Sequence, residues 1–390
     1  MPTSPILPPI PTLPRIVCVV AARPNLMKVA PVLRAIKQAD YQAETMLVHT
    51  GQHYDQDMDG QFFKTLELGE PDFRLEVGSG SHAVQTAEAM RRFEPVLEQT
   101  APTAVLVVGD VNSTLACALT AAKKNIPVFH VEAGLRSYDR SMPEEINRIL
   151  TDQLSELLFT SESSAMSNLL REGVPANRIH FVGNVMIDTL LRQLPHAPPV
   201  SKVLNDANLA GFVPDGEPYA LLTMHRPSNV DDPQRLRALM ETIVKLSEEL
   251  PILFPLHPRT RAMLRQHQLT ALLDAPQLAC MPPLPYLDML SLMKGAKVVL
   301  TDSGGVQEET TALGVPCLTL RENTERPVTV TEGSNAIAGR DPAVIRALCR
   351  DILRYGGKAG RIPQHWDGRA AERIAAAIGL WLSARRDGRP

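Results

Sequence analysis

The sequence predicts an α/β protein made of two doubly wound domains that face each other across a cleft. Three observations lead to this prediction. Short apolar segments alternate with amphipathic segments from residue 15 onward. The apolar segments are hydrophobic throughout, which is typical of strands in parallel sheets that helices cover on both faces. The alternation stops once, at the proline-rich residues 191–201, and then begins again.

The first half begins with the predicted strand RIVCVVAA (15–22) and the helix LMKVAPVLRAIKQ (26–38). Apolar runs predict five further strands, at residues 44–51, 104–110, 126–132, 158–162 and 179–184. Helical spacing of apolar residues predicts helices at residues 82–99, 113–124, 143–158 and 164–173. Strands and helices therefore alternate up to residue 190.

The second half repeats this pattern. Its predicted strands are residues 219–225, 251–257, 298–304 and 315–320. Its predicted helices are residues 233–250, 286–296, 305–314, 343–356 and 368–386. We therefore expect a flexible tail (1–14), an N-terminal domain (15–190), a linker (191–201), a C-terminal domain (202–367) and a final helix (368–390) that packs back on the N-terminal domain.

Composition argues against nucleic-acid and membrane partners. The net charge is −3 and only 4% of the residues are aromatic, so the chain offers neither a basic surface nor a base-stacking platform. No apolar run approaches the roughly 18 residues that a membrane-spanning helix needs. The 44% apolar and 21% charged residues are typical of a soluble globular enzyme.

The cysteines and the N-terminal segment indicate a cytoplasmic protein. The five cysteines are scattered, and no CxxC pair suggests a zinc site or a redox motif. Such thiols fit a reducing compartment. The proline-rich segment 1–14 has neither a basic start nor a continuous apolar stretch, so we do not interpret it as a signal peptide.

Polar residues follow several of the predicted strands. Asp110, Glu132 and His225 each end one strand, and residues 302–305 end another. A single carboxylate in such a place is usually a helix cap or a structural acceptor. Because ligands of doubly wound sheets bind at the carboxyl ends of the strands, several such ends together predict a polar binding cleft.

Two strand-to-helix turns are candidate phosphate sites. TDSGGVQEE (301–309) places Ser303, Gly304 and Gly305 at a helix start, where free N–H groups attract anions. Its alternative is an ordinary N-cap with a capping box. AARPNLMK (21–28) places Arg23 after the first strand, where it either binds phosphate or is a solvated turn residue. Neither GxGxxG nor a P-loop occurs.

His53, His225 and His257 lie in comparable places, and we expect at least one of them to line the cleft. They lack metal-ligand spacing, so no metal is predicted. MPEE (142–145) opens a helix with Glu144. Ser141 and Glu144 match a capping box, and the alternative is that one carboxylate turns into the cleft beside Glu132.

Nine segments together resemble the non-hydrolysing UDP-N-acetylglucosamine 2-epimerase family. In chain order they are ARPNLMKVAP, TGQHYD, GDVNSTL, HVEAGLRS with MPEEINR, GNVMIDTL, TMHRPSN, LHPRTR, TDSGGVQEE and ENTERPVTVTEGSN. The resemblance covers roughly residues 15 to 380. It implies the GT-B fold, in which two Rossmann-like domains enclose a nucleotide and the C-terminal domain binds UDP.

The resemblance also implies a reaction. UDP leaves C1 as the C2 proton is removed, which gives 2-acetamidoglucal. UDP then adds back while C2 is reprotonated on the other face, and UDP-N-acetylmannosamine results. The family needs no cofactor, neither NAD nor a metal. It further implies a cytoplasmic homodimer that serves cell-surface polysaccharide biosynthesis.

Roles follow from the matched positions. Asp110, Glu132, Glu144 and His225 match the family's essential acids and histidine, although which carboxylate serves which face of the sugar stays open. The resemblance and the chemistry of a leaving diphosphate assign UDP binding to a second set, which consists of Arg23, Ser303, Gly304, Gly305 and Glu309. Additional or allosteric contacts are expected from Lys28, Gln52, His53, Arg136, Arg226, His257 and Arg326.

Two departures and three alternatives accompany this interpretation. Many members have glutamate where Asn25 stands, and Tyr54 and Asp55 also differ from related chains, which puts allosteric activation in doubt. The alternatives are a hydrolysing 2-epimerase that releases N-acetylmannosamine, an epimerase of a modified sugar such as a UDP-2,3-diacetamido sugar, and a GT-B glycosyltransferase.

Overall fold

The computed structural model of the chain describes residues 13–21, 23–51, 63, 66–214 and 216–386. Most of the predicted tail, residues 1–12, lies outside the described residues. Gln52 and His53 also lie outside them.

The N-terminal sheet has seven parallel strands in the order β3-β2-β1-β4-β5-β6-β7. They are β1 (Arg15–Val20), β2 (Glu44–His49), β3 (Phe73–Arg74), β4 (Ala104–Val108), β5 (Val128–Val131), β6 (Leu157–Thr160) and β7 (Ile179–Phe181). The chain reverses its direction of travel across the sheet between β1 and β4. In doubly wound folds the binding crevice lies outside the strand ends at this point.

Helices cover both faces of this sheet. They are α1 (Arg23–Gln38), α2 (His82–Thr100), α3 (Asn112–Lys123), α4 (Pro143–Leu154), α5 (Ser163–Arg171) and α6 (Val185–Gln193). The segment that we interpreted as a linker is more ordered than its prolines suggest. It contains a 3-10 turn (Leu194–His196) and the start of α7 (Val200–Asp206).

The C-terminal sheet has six parallel strands in the order β10-β9-β8-β11-β12-β13. They are β8 (Ala220–Thr223), β9 (Ile252–Pro255), β10 (Leu278–Met281), β11 (Val298–Thr301), β12 (Cys317–Thr319) and β13 (Asn335–Ile337). Strands β3, β10 and β13 were not predicted, and all three lie at the edges of their sheets. Two parallel sheets with alternating helices confirm the predicted α/β class.

The helices of the second half are α8 (Pro227–Val230), α9 (Pro233–Ser247), α10 (Pro258–Gln266), α11 (Tyr286–Gly295), α12 (Gly304–Leu313), α13 (Pro327–Thr331), α14 (Pro342–Tyr355) and α15 (Ala370–Arg386). The short helices α8, α10 and α13 were missed. Each begins with proline, whose fixed φ and missing N–H suit the first helical position. That signal is present in the sequence at HRP, HPR and ERP.

The last helix joins the N-terminal core. Residues of α15 share a buried cluster with β1, β4, β5 and α1, and Trp381 packs edge-on against Phe129 at 5.0 Å between ring centroids. The carboxylate of Asp188 accepts hydrogen bonds from the first N–H groups of α15, at Ala370 and Ala371. Within the described residues, no helix is long and apolar enough to cross a membrane.

Candidate active site

The site lies where the carboxyl ends of both sheets meet. Asp110 and Glu132 follow the adjacent parallel strands β4 and β5. Gly109, directly before Asp110, has φ of +71°, which favours glycine. A Cβ added there would lie 3.4 Å from the Glu132 carboxylate, so the two strand ends are close together. Glu132 itself has φ of +73°. A left-handed conformation at a non-glycine residue costs free energy, and such residues cluster at functional sites.

Two cations hold the carboxylate of Glu132, which is only 7% exposed. Lys28 of α1 donates to Oε2, and Arg326 of the C-terminal domain donates to Oε1 at 2.5 Å. Burial disfavours the charged form of Glu132, but the two cations outweigh it and lower its pKa. Glu132 is therefore an anion that both domains hold in place.

Arg326 connects the two domains through a second carboxylate. Its Nε lies 2.6 Å from Oε1 of Glu308 in α12. The same oxygen accepts a hydrogen bond of 3.0 Å from Asn184, which follows β7 of the N-terminal sheet. Burial and the nearby Glu132 raise the pKa of Glu308 although Arg326 opposes this. Charged side chains thus alternate in sign across the cleft, in the order Lys28, Glu132, Arg326 and Glu308.

A separate set of contacts positions Asp110. Arg148 of α4 donates to its Oδ2 at 2.5 Å and also contacts Glu145 at 2.7 Å. The carboxylate of Glu145 accepts the N–H groups of Ser137 and Tyr138, each at 2.9 Å. Glu145 thereby closes the loop between β5 and α4 and orients Arg148 toward Asp110.

Glu144 has a different environment from its neighbour. The N-cap of α4 is Met142, which makes no side-chain cap bond. Ser141 instead donates its hydroxyl to Asp139 at 2.6 Å. The capping box that we considered for Ser141 and Glu144 is therefore wrong. Glu144 is partly exposed, whereas Glu145 is buried, so the two adjacent acids face different surroundings.

His225 follows β8 and is held by Asp302 at the end of β11. The Asp302 carboxylate accepts the N–H groups of His225 and Arg226, and its Oδ1 lies 3.3 Å from Nδ1 of His225. Burial lowers the pKa of the His225 imidazole although Asp302 opposes this. His257 packs against His225 with ring centroids 5.1 Å apart, and its own Nδ1 caps α10.

Helix α12 begins with the N–H groups of Gly304 and Gly305, while the N–H of Ser303 donates to the Thr301 hydroxyl at 3.0 Å. Its N-cap, Ser303, makes no side-chain cap bond, and a Cβ at Gly304 would lie 2.8 Å from Oε1 of Glu325. One turn further, Glu309 accepts a hydrogen bond of 2.9 Å from the hydroxyl of Tyr286. Burial raises the pKa of Glu309 to about 7.

The remaining predicted residues are distributed as follows. Arg226 lies 3.7 Å from Glu325. Arg136 is buried behind the site, where it binds Asp152 and Glu172. The side chain of Arg23 lies outside the described part of the chain, and only its backbone at the start of α1 is described. Across the ranges that the structure describes, no group of three His, Cys, Asp or Glu side chains is arranged to hold a metal ion.

Sequence reasoning missed several residues that the fold brings to the site. Glu308 was overlooked because its neighbour Glu309 matched the family motif. Arg148 lies one helical turn beyond Glu144, a spacing that could have revealed it. Tyr286 begins a predicted helix and gave no separate signal. Asn184, at the end of a predicted strand, fitted the strand-end pattern but was not singled out.

Comparisons with known proteins agree with one another. A family model described as UDP-N-acetylglucosamine 2-epimerase matches residues 34–379. A UDP-N-acetylglucosamine 2-epimerase of Methanococcus maripaludis is 42% identical over 352 residues, which are 90% of this chain and 92% of that protein. A UDP-2,3-diacetamido-2,3-dideoxy-D-glucuronate 2-epimerase of Pseudomonas aeruginosa is 40% identical over 87% of this chain and 92% of its own length.

A solved structure resembles the whole fold. The crystal structure of Methanocaldococcus jannaschii UDP-GlcNAc 2-epimerase in complex with UDP-GlcNAc and UDP superposes with a TM-score of 0.84. Its sequence is 40% identical, and the match covers 94% of this chain and 99% of that one.

Proposed function

The chain belongs to the UDP-N-acetylglucosamine 2-epimerase family, and from this premise we propose that it interconverts UDP-N-acetylglucosamine and UDP-N-acetylmannosamine. The C1–O bond to UDP breaks and the C2 proton is removed, so that 2-acetamidoglucal and UDP form. The reverse addition returns the proton to C2 from the other face. Atoms and electrons balance without a further reactant.

The pair Asp110 and Glu132 is the observation that carries this proposal. Inversion at C2 needs acid/base groups on both faces of the sugar, because one group cannot reach both. Two strand-end carboxylates, with Glu144 at the start of α4 and His225 on the facing domain, offer several directions of approach. We propose that Asp110, Glu132, Glu144 and His225 are the catalytic residues.

We assign the diphosphate to the start of α12 and to the cations of the site. The Ser303–Gly305 backbone supplies donors and a positive helix end, which favour negative charge that develops on the leaving group. Lys28 and Arg326 add positive charge from the two domains. We place Arg23 in the same role on the family motif alone. Glu309, oriented by Tyr286, would bind the ribose hydroxyls.

Deuterium exchange tests the reaction. Purified protein in deuterated water should incorporate deuterium at C2 of UDP-N-acetylglucosamine and form UDP-N-acetylmannosamine, as followed by ¹H NMR. A hydrolysing 2-epimerase would release free N-acetylmannosamine and UDP, and a glycosyltransferase would need an acceptor and leave C2 unlabelled. Absence of exchange in the presence of activating concentrations of substrate would contradict the proposal for this sugar.

The substrate could also carry further groups. The Pseudomonas aeruginosa relative acts, by its name, on a UDP-2,3-diacetamido uronate, so the same exchange assay should be run with that sugar. Exchange with the uronate alone would keep the reaction and change the substrate. Comparable values of kcat/KM for both sugars would indicate a site that tolerates substitution at C3 and C6.

We also propose that the enzyme is a cytoplasmic homodimer that supplies cell-surface polysaccharide synthesis. Two apolar side chains on the outer face of α4 support self-association, because Ile146 and Leu150 are 42% and 46% exposed. Light scattering after size-exclusion chromatography would measure the mass of the protein. A monomer over the whole range of concentrations would contradict the dimer.

A further inference from the structure

His130 lies in β5, two residues before Glu132, and its side chain is 0% exposed. Its Nε2 lies 2.9 Å from the carbonyl oxygen of Gly109, and its Nδ1 lies 2.6 Å from Oδ1 of Asp152. A carbonyl oxygen can only accept, and so can a carboxylate. A neutral imidazole has one N–H group, so both contacts are hydrogen bonds only when the ring carries two protons.

The groups around Asp152 determine which of its oxygens faces His130. Asp152 also accepts the N–H of Gly134 at 3.0 Å and contacts Nη2 of Arg136 at 2.7 Å. Arg136 in turn forms a two-pronged pair with Glu172, at 2.8 and 2.6 Å. Arg136 and Asp152 are thus a buried pair of opposite charges, whereas Glu172 lies at the surface. Two donors occupy Oδ2 of Asp152, which leaves Oδ1 to accept a hydrogen bond from Nδ1 of His130.

His130 is linked through the backbone to Asp110 and to Glu132. The carbonyl that it binds belongs to Gly109, directly before Asp110, and its own strand continues to Glu132. We propose that His130 is a charged positioning residue that holds Asp110 and Glu132 at a fixed separation and supplies positive charge beneath Glu132. The catalytic part of this inference rests on the proposed epimerase function.

The electrostatics of Glu132 support the assignment. Burial raises its pKa, while Lys28, Arg326 and, to a smaller extent, His130 lower it. Lys28 reaches Glu132 from α1, Arg326 from the residue before α13, and His130 from β5 itself. Glu308 of α12 is the nearby acid, and it is separated from Glu132 by Arg326. Replacing His130 with a neutral residue should therefore make Glu132 easier to protonate.

A purely structural role is the alternative, in which His130 only ties β5 to α4. The protonation state distinguishes the two and can be measured without turnover. In ¹⁵N-histidine-labelled protein at pH 7, we expect the ring of His130 to carry two N–H groups, as resolved by ¹H–¹⁵N correlation NMR. A neutral ring with a single N–H at pH 7 would overturn the proposal, whether or not the protein is an epimerase.

The second experiment compares His130→Gln with His180→Gln. His180 is a matched control because it lies in β7 of the same sheet and packs on Phe159, away from the strand-end carboxylates. For His130→Gln we expect kcat of C2 exchange to fall at least tenfold with little change in KM. The acidic limb of the pH–rate profile should move upward by about one pH unit, because Glu132 has lost a neighbouring cation.

The control variant should keep the wild-type profile. If His130→Gln lowers the rate equally at every pH and leaves the acidic limb in place, the charge has no part in catalysis and the proposal fails. If the variant does not fold, the NMR measurement on the wild-type protein still decides the protonation state. Failure of the wild-type protein to exchange C2 would refute the proposed function and leave that measurement standing.

Discussion

Replacing Arg326 with methionine should destabilise the protein strongly and in a pH-dependent way. Arg326 is 7% exposed and binds Glu132 and Glu308 at 2.5 and 2.6 Å. Methionine keeps most of the volume and removes the charge. Glu132 retains Lys28, but Glu308 is left with the amide of Asn184. The uncompensated carboxylate of Glu308 is therefore the main cause of the loss.

The magnitude follows from what happens to Glu308. Removing one partner of a buried ion pair lowers the free energy of unfolding by about 3–5 kcal/mol. If Glu308 instead takes up a proton in the folded variant, the cost at pH 7 is about 4 kcal/mol, because a glutamate of ordinary pKa is ionised in the unfolded chain. Arg326 lowers the pKa of Glu308, so its removal raises that pKa further in the folded variant, and the penalty relative to the wild type grows as the pH rises and shrinks as it falls. The change is about 1.4 kcal/mol for each pH unit.

Urea unfolding at pH 6, 7 and 8 measures this effect. Both tryptophans report on it, since Trp366 packs with Ile187 and Val328 where the domains meet and Trp381 lies in the N-terminal core. The loss for Arg326→Met should be smallest at pH 6. Adding Glu308→Gln should restore most of the stability, because it removes the uncompensated charge.

Arg350 offers a matched control because its ion pair lies at the surface. Arg350→Met removes an exposed pair with Glu249 and should leave the unfolding midpoint nearly unchanged. A loss of stability that is the same at all three pH values would refute the reasoning. So would an Arg326→Met protein that Glu308→Gln does not rescue.

Two further predictions concern neighbouring or matched residues. Glu144→Gln should lower the rate of C2 exchange by about 100-fold or more at an unchanged melting temperature. Glu145→Gln should lower the melting temperature, because the Glu145 carboxylate accepts five hydrogen bonds from Ser137, Tyr138 and Arg148; equal melting temperatures would contradict the separation of roles. Tyr286→Phe should weaken UDP binding about fivefold or more in calorimetry, because Glu309 loses a hydrogen bond. The control is Tyr219→Phe, because the hydroxyl of Tyr219 donates to the carbonyl of Leu292 and not to Glu309. This variant should bind UDP like the wild type.

Several features of the protein could be predicted from its sequence because they depend on local patterns. Strands buried on both faces are apolar at nearly every position, so the runs that became β1, β4 and β5 were visible directly. The carboxyl ends of parallel strands lie at one edge of the sheet. Because Asp110 and Glu132 each end a predicted strand, the sequence predicted that they lie close together. The edge strands β3, β10 and β13 were not predicted, whereas equally short strands inside the sheets, such as β12, were.

The sequence does not predict which of the two adjacent acids at the start of α4 is buried. Glu144 and Glu145 are chemically identical and equally compatible with a first helical turn. Successive helical residues point about 100° apart, so one of them can be buried while the other is not. Only the packing of α4 on the loop after β5 determined that Glu145 is the buried one.

The sequence by itself determined the class of fold and the sheet edge at which Asp110 and Glu132 lie. The tertiary structure alone decided how those groups are paired. Glu132 and Arg326 are 194 positions apart, and Lys28 and Glu132 are 104 apart. No local pattern can encode such pairs. They form because the carboxyl ends of two separate sheets face each other, and because charges buried there are stable only when opposite charges meet them.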